Sequence, residues 1–204
     1  MQTSTHSEPA YHQILHHLSE RTPSRSTNGG GQLIAVTSAS RGEGVSYIVS
    51  SLATQLSLQY LSSVAIMDAT TLTDYSGGPQ SIGDHFAKHN SQYIFQGTDD
   101  NSHTPKVAAA YWYADRDFRL RCMQELRRRF NYVLFDCPPP KTSGELYSLA
   151  PLVDGIVLVV EANKTKKESI KNLERMIEFA NGHIAGYVLN KRDYVIPRWL
   201  YSKL

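Results

Sequence analysis

Residues 33–57 read LIAVTSASRGEGVSYIVSSLATQLS and are the most informative part of the chain about its architecture. Four apolar residues open the segment, a glycine-containing loop follows, and Ile48, Leu52 and Leu56 then recur at helical spacing. This strand, loop and helix order is typical of a phosphate-binding loop, in which loop amides and a helix amino terminus cradle phosphate oxygens. The glycines and the serine of such a loop are present, but Val45 stands where a lysine would reach the terminal phosphates.

The remainder of the chain alternates between short apolar runs and segments with helical periodicity. The apolar runs are residues 33–36, 64–67, 133–135, 156–160 and 184–189, and the clearest helical segments are residues 46–57, 115–129 and 165–180. Such alternation predicts a parallel sheet with helical crossovers. We therefore expect an α/β fold of the P-loop NTPase type, with a doubly wound, mostly parallel sheet and helices on both faces.

The sequence predicts one folded domain preceded by a short extension. Residues 1–31 are interpreted as a leading helix, over residues 8–20, followed by a flexible linker, and residues 32–204 as a single domain. Residues 70–105 contain many Gly, Ser, Asp and Asn residues, so we expect loops there around one short helix near residues 82–88.

Composition excludes several classes of function. The chain has 204 residues and a formal net charge of +2, which does not favour nucleic-acid binding. Its longest apolar run is far shorter than the roughly 20 residues of a membrane span, and its first ten residues lack the pattern of a secretory signal. Two cysteines cannot form a disulfide framework. These features predict a cytoplasmic protein.

Two acidic residues end apolar strands in the segments VAIMD and YVLFDCPPP. Ligands bind at the carboxyl edge of an open parallel sheet, so Asp68 and Asp136 are expected to converge there with the loop around Gly44. Ser46 and Asp136 are the candidate magnesium ligands, and Asp68 and Asp136 are the candidate catalytic acids. The alternative is structural, because an Asp after a strand also accepts amide hydrogen bonds from a turn or caps a helix.

Basic residues recur along residues 115–129 and leave a further alternative open. They could form a stripe for nucleic acid or anionic lipid, but acidic residues are interspersed among them, which favours an ordinary solvated helix.

The segments TSASRGEGVS, VAIMDAT and YVLFDCPPP together resemble the bacterial tyrosine kinases of capsule and exopolysaccharide synthesis, a group related to partition and septum-positioning ATPases. They correspond to the Walker A loop, the second Walker A-like motif and the Walker B strand of that family, and the resemblance covers roughly residues 8–201. It implies a cytoplasmic domain that binds ATP or ADP with magnesium and lies at the inner membrane through the cytoplasmic part of a polysaccharide copolymerase. It also implies homo-oligomers.

The resemblance implies a set of nucleotide-binding residues. Asn190 takes the position that contacts the adenine base in relatives. The loop positions are Ser40, Arg41, Gly42, Glu43, Gly44, Val45, Ser46 and Tyr47.

This chain departs from the family pattern at functional positions. Val45 replaces the family's lysine, and the second motif continues after Asp68 as Ala, Thr, Thr, Leu instead of supplying a second Asp and an Arg. Losing one transition-state donor costs about 2.7–4 kcal/mol, which corresponds to about 100- to 1000-fold in turnover. We therefore interpret the chain as a pseudokinase that regulates or scaffolds polysaccharide synthesis. The alternative is a divergent ATPase or tyrosine kinase in which Arg41 or a partner's residue replaces the lysine, and a partition-type ATPase is a third, less favoured reading.

Overall fold

A computed structural model describes residues 30–60, 63–73, 82, 94–96 and 112–192. Its strands are β1 (Gln32–Ser38), β2 (Val64–Asp68), β3 (Ile94–Gln96), β4 (Tyr132–Asp136), β5 (Gly155–Glu161) and β6 (Ile184–Asn190). Its helices are α1 (Val45–Tyr60), α2 (Ala69–Thr73), α3 (Arg116–Arg129), α4 (Glu145–Leu149) and α5 (Lys167–Phe179).

The strands form one parallel sheet in the order β3-β2-β4-β1-β5-β6. In register, Val36 of β1 pairs with Asp136 of β4, and Asp136 pairs in turn with Asp68 of β2. The carboxyl ends of β1, β2 and β4 therefore lie side by side at one edge of the sheet. The predicted α/β fold class is confirmed, and each of the five predicted apolar runs lies within a strand.

Alternate residues of the central strands enter two separate cores, one on each face of the sheet. On β1, Ile34 and Val36 pack with the buried residues of α1, whereas Leu33 and Ala35 pack with those of α3, α4 and α5. The β1 side chains from Leu33 to Ser38 are all buried. A strand buried on both faces appears in the sequence as a continuous apolar run rather than an alternating one, as residues 33–36 do.

An ion pair fixes the opposite, amino edge of the sheet. Arg127 of α3 donates from both terminal nitrogens to the Asp154 carboxylate, at 2.6 and 3.0 Å. The same carboxylate accepts the Leu33 amide at 2.8 Å, and Arg127 also donates to the Gly31 carbonyl. These contacts join α3 and the turn before β5 to the start of β1.

The structure corrects several expected boundaries. Residues 70–105 were expected to lack strands, but β3 lies within them, and α2 begins at Ala69 and buries Leu72 against the core. Helix α4 was not predicted, because five residues are too short for a periodicity. Asp115 caps α3 instead of opening it, since its side chain accepts the Phe118 amide.

Two predicted helices fall largely outside the described residues. These are the leading helix at residues 8–20 and, apart from the buried Ile82, the helix at residues 82–88. Among the helices that the structure describes, none has the length and apolarity needed to cross a membrane.

Candidate functional site: a phosphate-loop cleft

A cleft of about 400 Å³ opens at the carboxyl edge of the sheet. The loop after β1, the first turn of α1 and the ends of β2 and β4 line it. Its lining residues are Ser38, Arg41, Gly42, Gly44, Val45, Ser46, Tyr47, Asp68, Thr70, Asp136, Cys137, Pro138 and Pro139. The structure thus brings the loop and both predicted acids to one cleft.

Two glycines allow the loop to turn into α1. Gly42 and Gly44 have φ values of +84° and +95°, in the left-handed region that side chains rarely adopt. A β-carbon at Gly44 would also collide with the Asn190 amide nitrogen. The first amides of α1 have no acceptor within the helix. They lie at the cleft, where the positive end of the helix dipole also lies. This part of the loop can receive an anion.

Three oxygen-bearing side chains line the cleft together: those of Ser46, Asp136 and Asp68. Burial raises the pKa of Asp136, the hydrogen bond from the Ser46 hydroxyl opposes that rise, and the negative charge of Asp68 adds to it. Magnesium prefers such oxygen ligands, and a cation here would relieve the repulsion between the two carboxylates. The donor set therefore fits magnesium.

Asp68 is exposed, and one of its oxygens is already engaged. Its Oδ1 accepts the backbone amide of Thr70 at 2.9 Å and the hydroxyl of Thr70 at 2.7 Å. Asp68 therefore accepts the hydrogen bonds of a turn, as its structural interpretation expects, and both of these bonds fall on Oδ1 and not on Oδ2. Within the described residues, no group of three or more His, Cys, Asp and Glu side chains forms a metal site, so a cation would also need oxygens from its ligand.

Val45 and Arg41 occupy contrasting environments in the cleft. Val45 lies at the first position of α1, partly buried against the core on the α1 face. Its side chain offers no charge to a phosphate. Arg41 is exposed at the cleft wall, and in the described part of the chain it makes no hydrogen bond or ion pair. Among the described residues that line the cleft, Arg41 is the basic one.

Three other predicted site residues do not line the cleft: Ser40, Glu43 and Asn190. The Glu43 side chain is buried, and its Oε2 accepts the amides of Ala39 and Ser40 at 3.0 and 3.3 Å. Asn190 donates from Nδ2 to the Glu43 carbonyl at 2.8 Å and accepts the Lys191 amide on Oδ1. These residues hold the loop itself, and any base contact from Asn190 would use its remaining amide hydrogen.

Sequence reasoning missed two residues that contact this loop. Thr165 donates to Glu43 Oε1 at 2.6 Å, and Lys191 Nζ donates to the Gly42 carbonyl at 2.6 Å. Both contacts span more than 100 residues of chain. The Asn-Lys pair at the end of β6 was visible as a polar break after an apolar strand, but no local pattern indicates its target.

Most of the arginines of α3 make contacts within the chain. Arg119 donates to the carbonyls of Trp112 and Tyr113, and Glu125 accepts from Arg128 and Arg129. Together with the Arg127 ion pair, these contacts favour the solvated structural helix over a basic binding stripe.

No protein-family profile matches the chain. Among curated proteins, tyrosine-protein kinase CpsD of Streptococcus agalactiae is 24% identical over 180 residues, covering 78% of this chain and 75% of that protein. The succinoglycan biosynthesis transport protein ExoP of Rhizobium meliloti is 31% identical over 71 residues, which cover 35% of this chain and 9% of ExoP.

Solved structures share the architecture. The chimerical protein CapA2B2 aligns with a TM-score of 0.66 at 19% identity, covering 94% of this chain and 87% of that one. The kinase domain of the Escherichia coli tyrosine kinase ETK gives 0.62 at 17% identity, covering 90% and 74%. The septum site-determining protein MinD of Pyrococcus horikoshii OT3, complexed with Mg-ADP, gives 0.56 at 15% identity, covering 85% and 76%. At these identities the likeness establishes the fold alone, a parallel sheet with helices on both faces.

The sheet order, the loop between β1 and α1 and the acid at the end of β4 define a P-loop NTPase-like protein. The chain is similar in sequence to a bacterial tyrosine-protein kinase over 78% of its length.

Proposed function

We propose that the cleft binds a magnesium nucleotide but has lost most phosphoryl-transfer activity. One observation carries this proposal: the Ser46–Asp136 pair is retained beside a formed loop, whereas the apolar Val45 packs where the phosphate-contacting lysine would start. The loop and first-turn amides would hold phosphate oxygens, and Ser46 with Asp136 would hold the cation. Binding is retained because amides and dipole supply much of the attraction, while the transition state lacks a charged donor.

The proposed role is that of a pseudokinase which regulates or scaffolds capsule or exopolysaccharide synthesis, in the cytoplasm and at the inner membrane. Its partner would be the cytoplasmic part of a membrane polysaccharide copolymerase. Homology to CpsD, a tyrosine-protein kinase, and the local similarity to ExoP, a succinoglycan biosynthesis transport protein, support this role. From the same resemblance we also propose that the chain self-associates.

Complementation tests the scaffold role directly. Deletion of the gene is expected to alter polysaccharide output, and a crosslinked pull-down of the tagged protein is expected to recover a membrane polysaccharide protein. Both wild type and Asp136→Asn should restore output, because a scaffold needs no turnover. An unaltered polysaccharide after deletion, together with no such partner in the pull-down, would reject the role.

An enzyme is the second candidate function, and the position of Arg41 favours it. Arg41 lines the cleft with its guanidinium unengaged among the described residues, so its charge is available to a phosphate. In that case Arg41→Ala and Asp136→Asn would each abolish ATP hydrolysis. Arg128→Ala is the matched control, since that exposed arginine lies at the amino edge of the sheet. Unchanged hydrolysis in both cleft variants would reject the enzyme.

A further inference from the structure

The phosphate-binding loop is held by three residues that do not line the cleft. Lys191 Nζ donates to the Gly42 carbonyl, Asn190 Nδ2 to the Glu43 carbonyl, and Thr165 Oγ1 to the Glu43 carboxylate, at 2.6, 2.8 and 2.6 Å. Asn190 is the last residue of β6, Lys191 comes directly after it, and Thr165 lies between β5 and α5. We call these three residues the latch. Parts of the chain far from the loop in sequence thus meet its central turn.

Glu43 connects the latch to the beginning of the loop. One oxygen of its buried carboxylate accepts the Ala39 and Ser40 amides, and the other accepts the Thr165 hydroxyl. Thr165 is itself fixed, because its hydroxyl oxygen accepts the Glu161 amide at 2.9 Å. The loop amides of Ala39 and Ser40 are therefore satisfied by the protein's own carboxylate.

Lys191 adopts a conformation that is unusual for its residue type. Its φ is +54°, in the left-handed region, and its ammonium lies between the Gly42 carbonyl and Glu161 Oε2, 3.2 Å away. A non-glycine residue in this region carries a cost that surrounding contacts must offset, and such residues cluster at functional sites. The two contacts of the ammonium are the compensation that the structure shows.

We propose that Lys191, with Asn190 and Thr165, positions the phosphate-binding loop in its open, anion-receiving shape before any ligand arrives. Lys191 does not itself line the cleft and acts through the carbonyl of Gly42, which does, so it is a positioning residue. The predicted consequence for nucleotide affinity rests on the proposed function, whereas the predicted rigidity of the free loop does not.

Hydrogen–deuterium exchange of the free, full-length protein tests the positioning. Lys191→Met is expected to raise the exchange rate of the amides of residues 39–46 about tenfold, as for loss of a hydrogen bond from a charged donor. Lys164→Met is the matched control, because Lys164 also pairs with Glu161, at 3.2 Å, but does not touch the loop. Lys191→Arg, which keeps a cationic donor, should restore most of the protection. Equal exchange in Lys191→Met and Lys164→Met would overturn the proposal.

A second pair of variants keeps the test valid if Lys191→Met does not fold. Thr165→Val removes the hydroxyl that meets Glu43, and Thr165→Ser retains it. Faster loop exchange in the valine variant alone supports the latch, and equal exchange in both variants contradicts it.

Nucleotide titration separates this proposal from the proposed function. If wild type binds magnesium ADP, Lys191→Met should weaken the affinity about tenfold while Lys164→Met leaves it unchanged. Equal affinity in the two variants would overturn the positioning role. If wild type binds no nucleotide, the proposed function fails, and the exchange experiment alone decides the latch.

Discussion

Restoring a lysine at position 45 should reactivate the cleft if the missing charge is what limits turnover. Val45 is the first residue of α1, between Gly44 and Ser46, and its side chain is partly buried and lines the cleft. A lysine there can keep its aliphatic stem against the core on the α1 face while its ammonium extends into the cleft. Val45→Lys is therefore expected to fold and to present a charge to a phosphate.

The magnitude follows from what the ammonium would contact. A hydrogen bond to a charged group contributes about 1.5–3 kcal/mol, and a preorganised donor to a transition state contributes about 2.7–4 kcal/mol. Val45→Lys should accordingly raise ATP turnover by about 100- to 1000-fold. The negative field of Asp68 and Asp136 at the cleft mouth would also hold the new ammonium in its charged form.

Single-turnover ATP hydrolysis and detection of phosphotyrosine by mass spectrometry give the readouts. Val45→Met is the matched control, because methionine extends a chain of similar reach without a charge. Turnover in Val45→Lys no faster than in Val45→Met would refute the reasoning. Wild-type turnover already equal to that of Val45→Lys would show that another cation, such as Arg41, has replaced the lysine.

Three further outcomes follow from the structure. Arg127→Met leaves the Asp154 carboxylate without its cation and should lower the free energy of unfolding in urea by about 2–3 kcal/mol. Arg128→Met, on an 80% exposed side chain, should change it by less than about 0.5 kcal/mol. Equal losses in the two variants would contradict the account. Because burial raises the pKa of Asp136, its carboxyl group stabilises the fold fully below the ordinary Asp pKa, and this stabilisation is lost as the pH rises through the elevated pKa. Asp136→Asn should therefore melt at a higher temperature than wild type at pH 7 and lose that advantage toward pH 3. Both cysteines are buried and burial raises the pKa of each thiol, so a thiol reagent at neutral pH should label native protein far more slowly than unfolded protein, and rapid native labelling would contradict their burial.

The architecture was largely predictable because it rests on local patterns. The runs on β1, β2, β4 and β5 are apolar because these strands are covered on both faces, whereas the edge strand β6 keeps Tyr187 and Leu189 exposed. Helical periodicity located α1, α3 and α5 within a few residues. Strand β3 has three residues and α4 has five, so neither is long enough to repeat its pattern twice.

The convergence at the cleft was predictable from topology, but the contacts within it were not. Asp68, Asp136 and Ser46 meet because parallel strands end at one edge. The sequence suggested that Glu43 and Asn190 would face a ligand, yet their side chains hold the loop. The Glu43 carboxylate accepts the Thr165 hydroxyl, and Asn190 donates to the Glu43 carbonyl. Such contacts depend on the close approach of β6 and the β5–α5 turn to the loop, which no local pattern encodes.

The central claim is that the cleft binds a magnesium nucleotide although it lacks the lysine. The most direct test is calorimetric titration of the purified protein with ATP and with ADP. Each titration is performed with and without magnesium, beside the variant Gly44→Asp. The new side chain would collide with Asn190, and the left-handed backbone at this position would be strained by it. The account predicts saturable, magnesium-dependent binding to wild type and none to the variant. An absence of binding to wild type at millimolar nucleotide, with the protein folded, would contradict it.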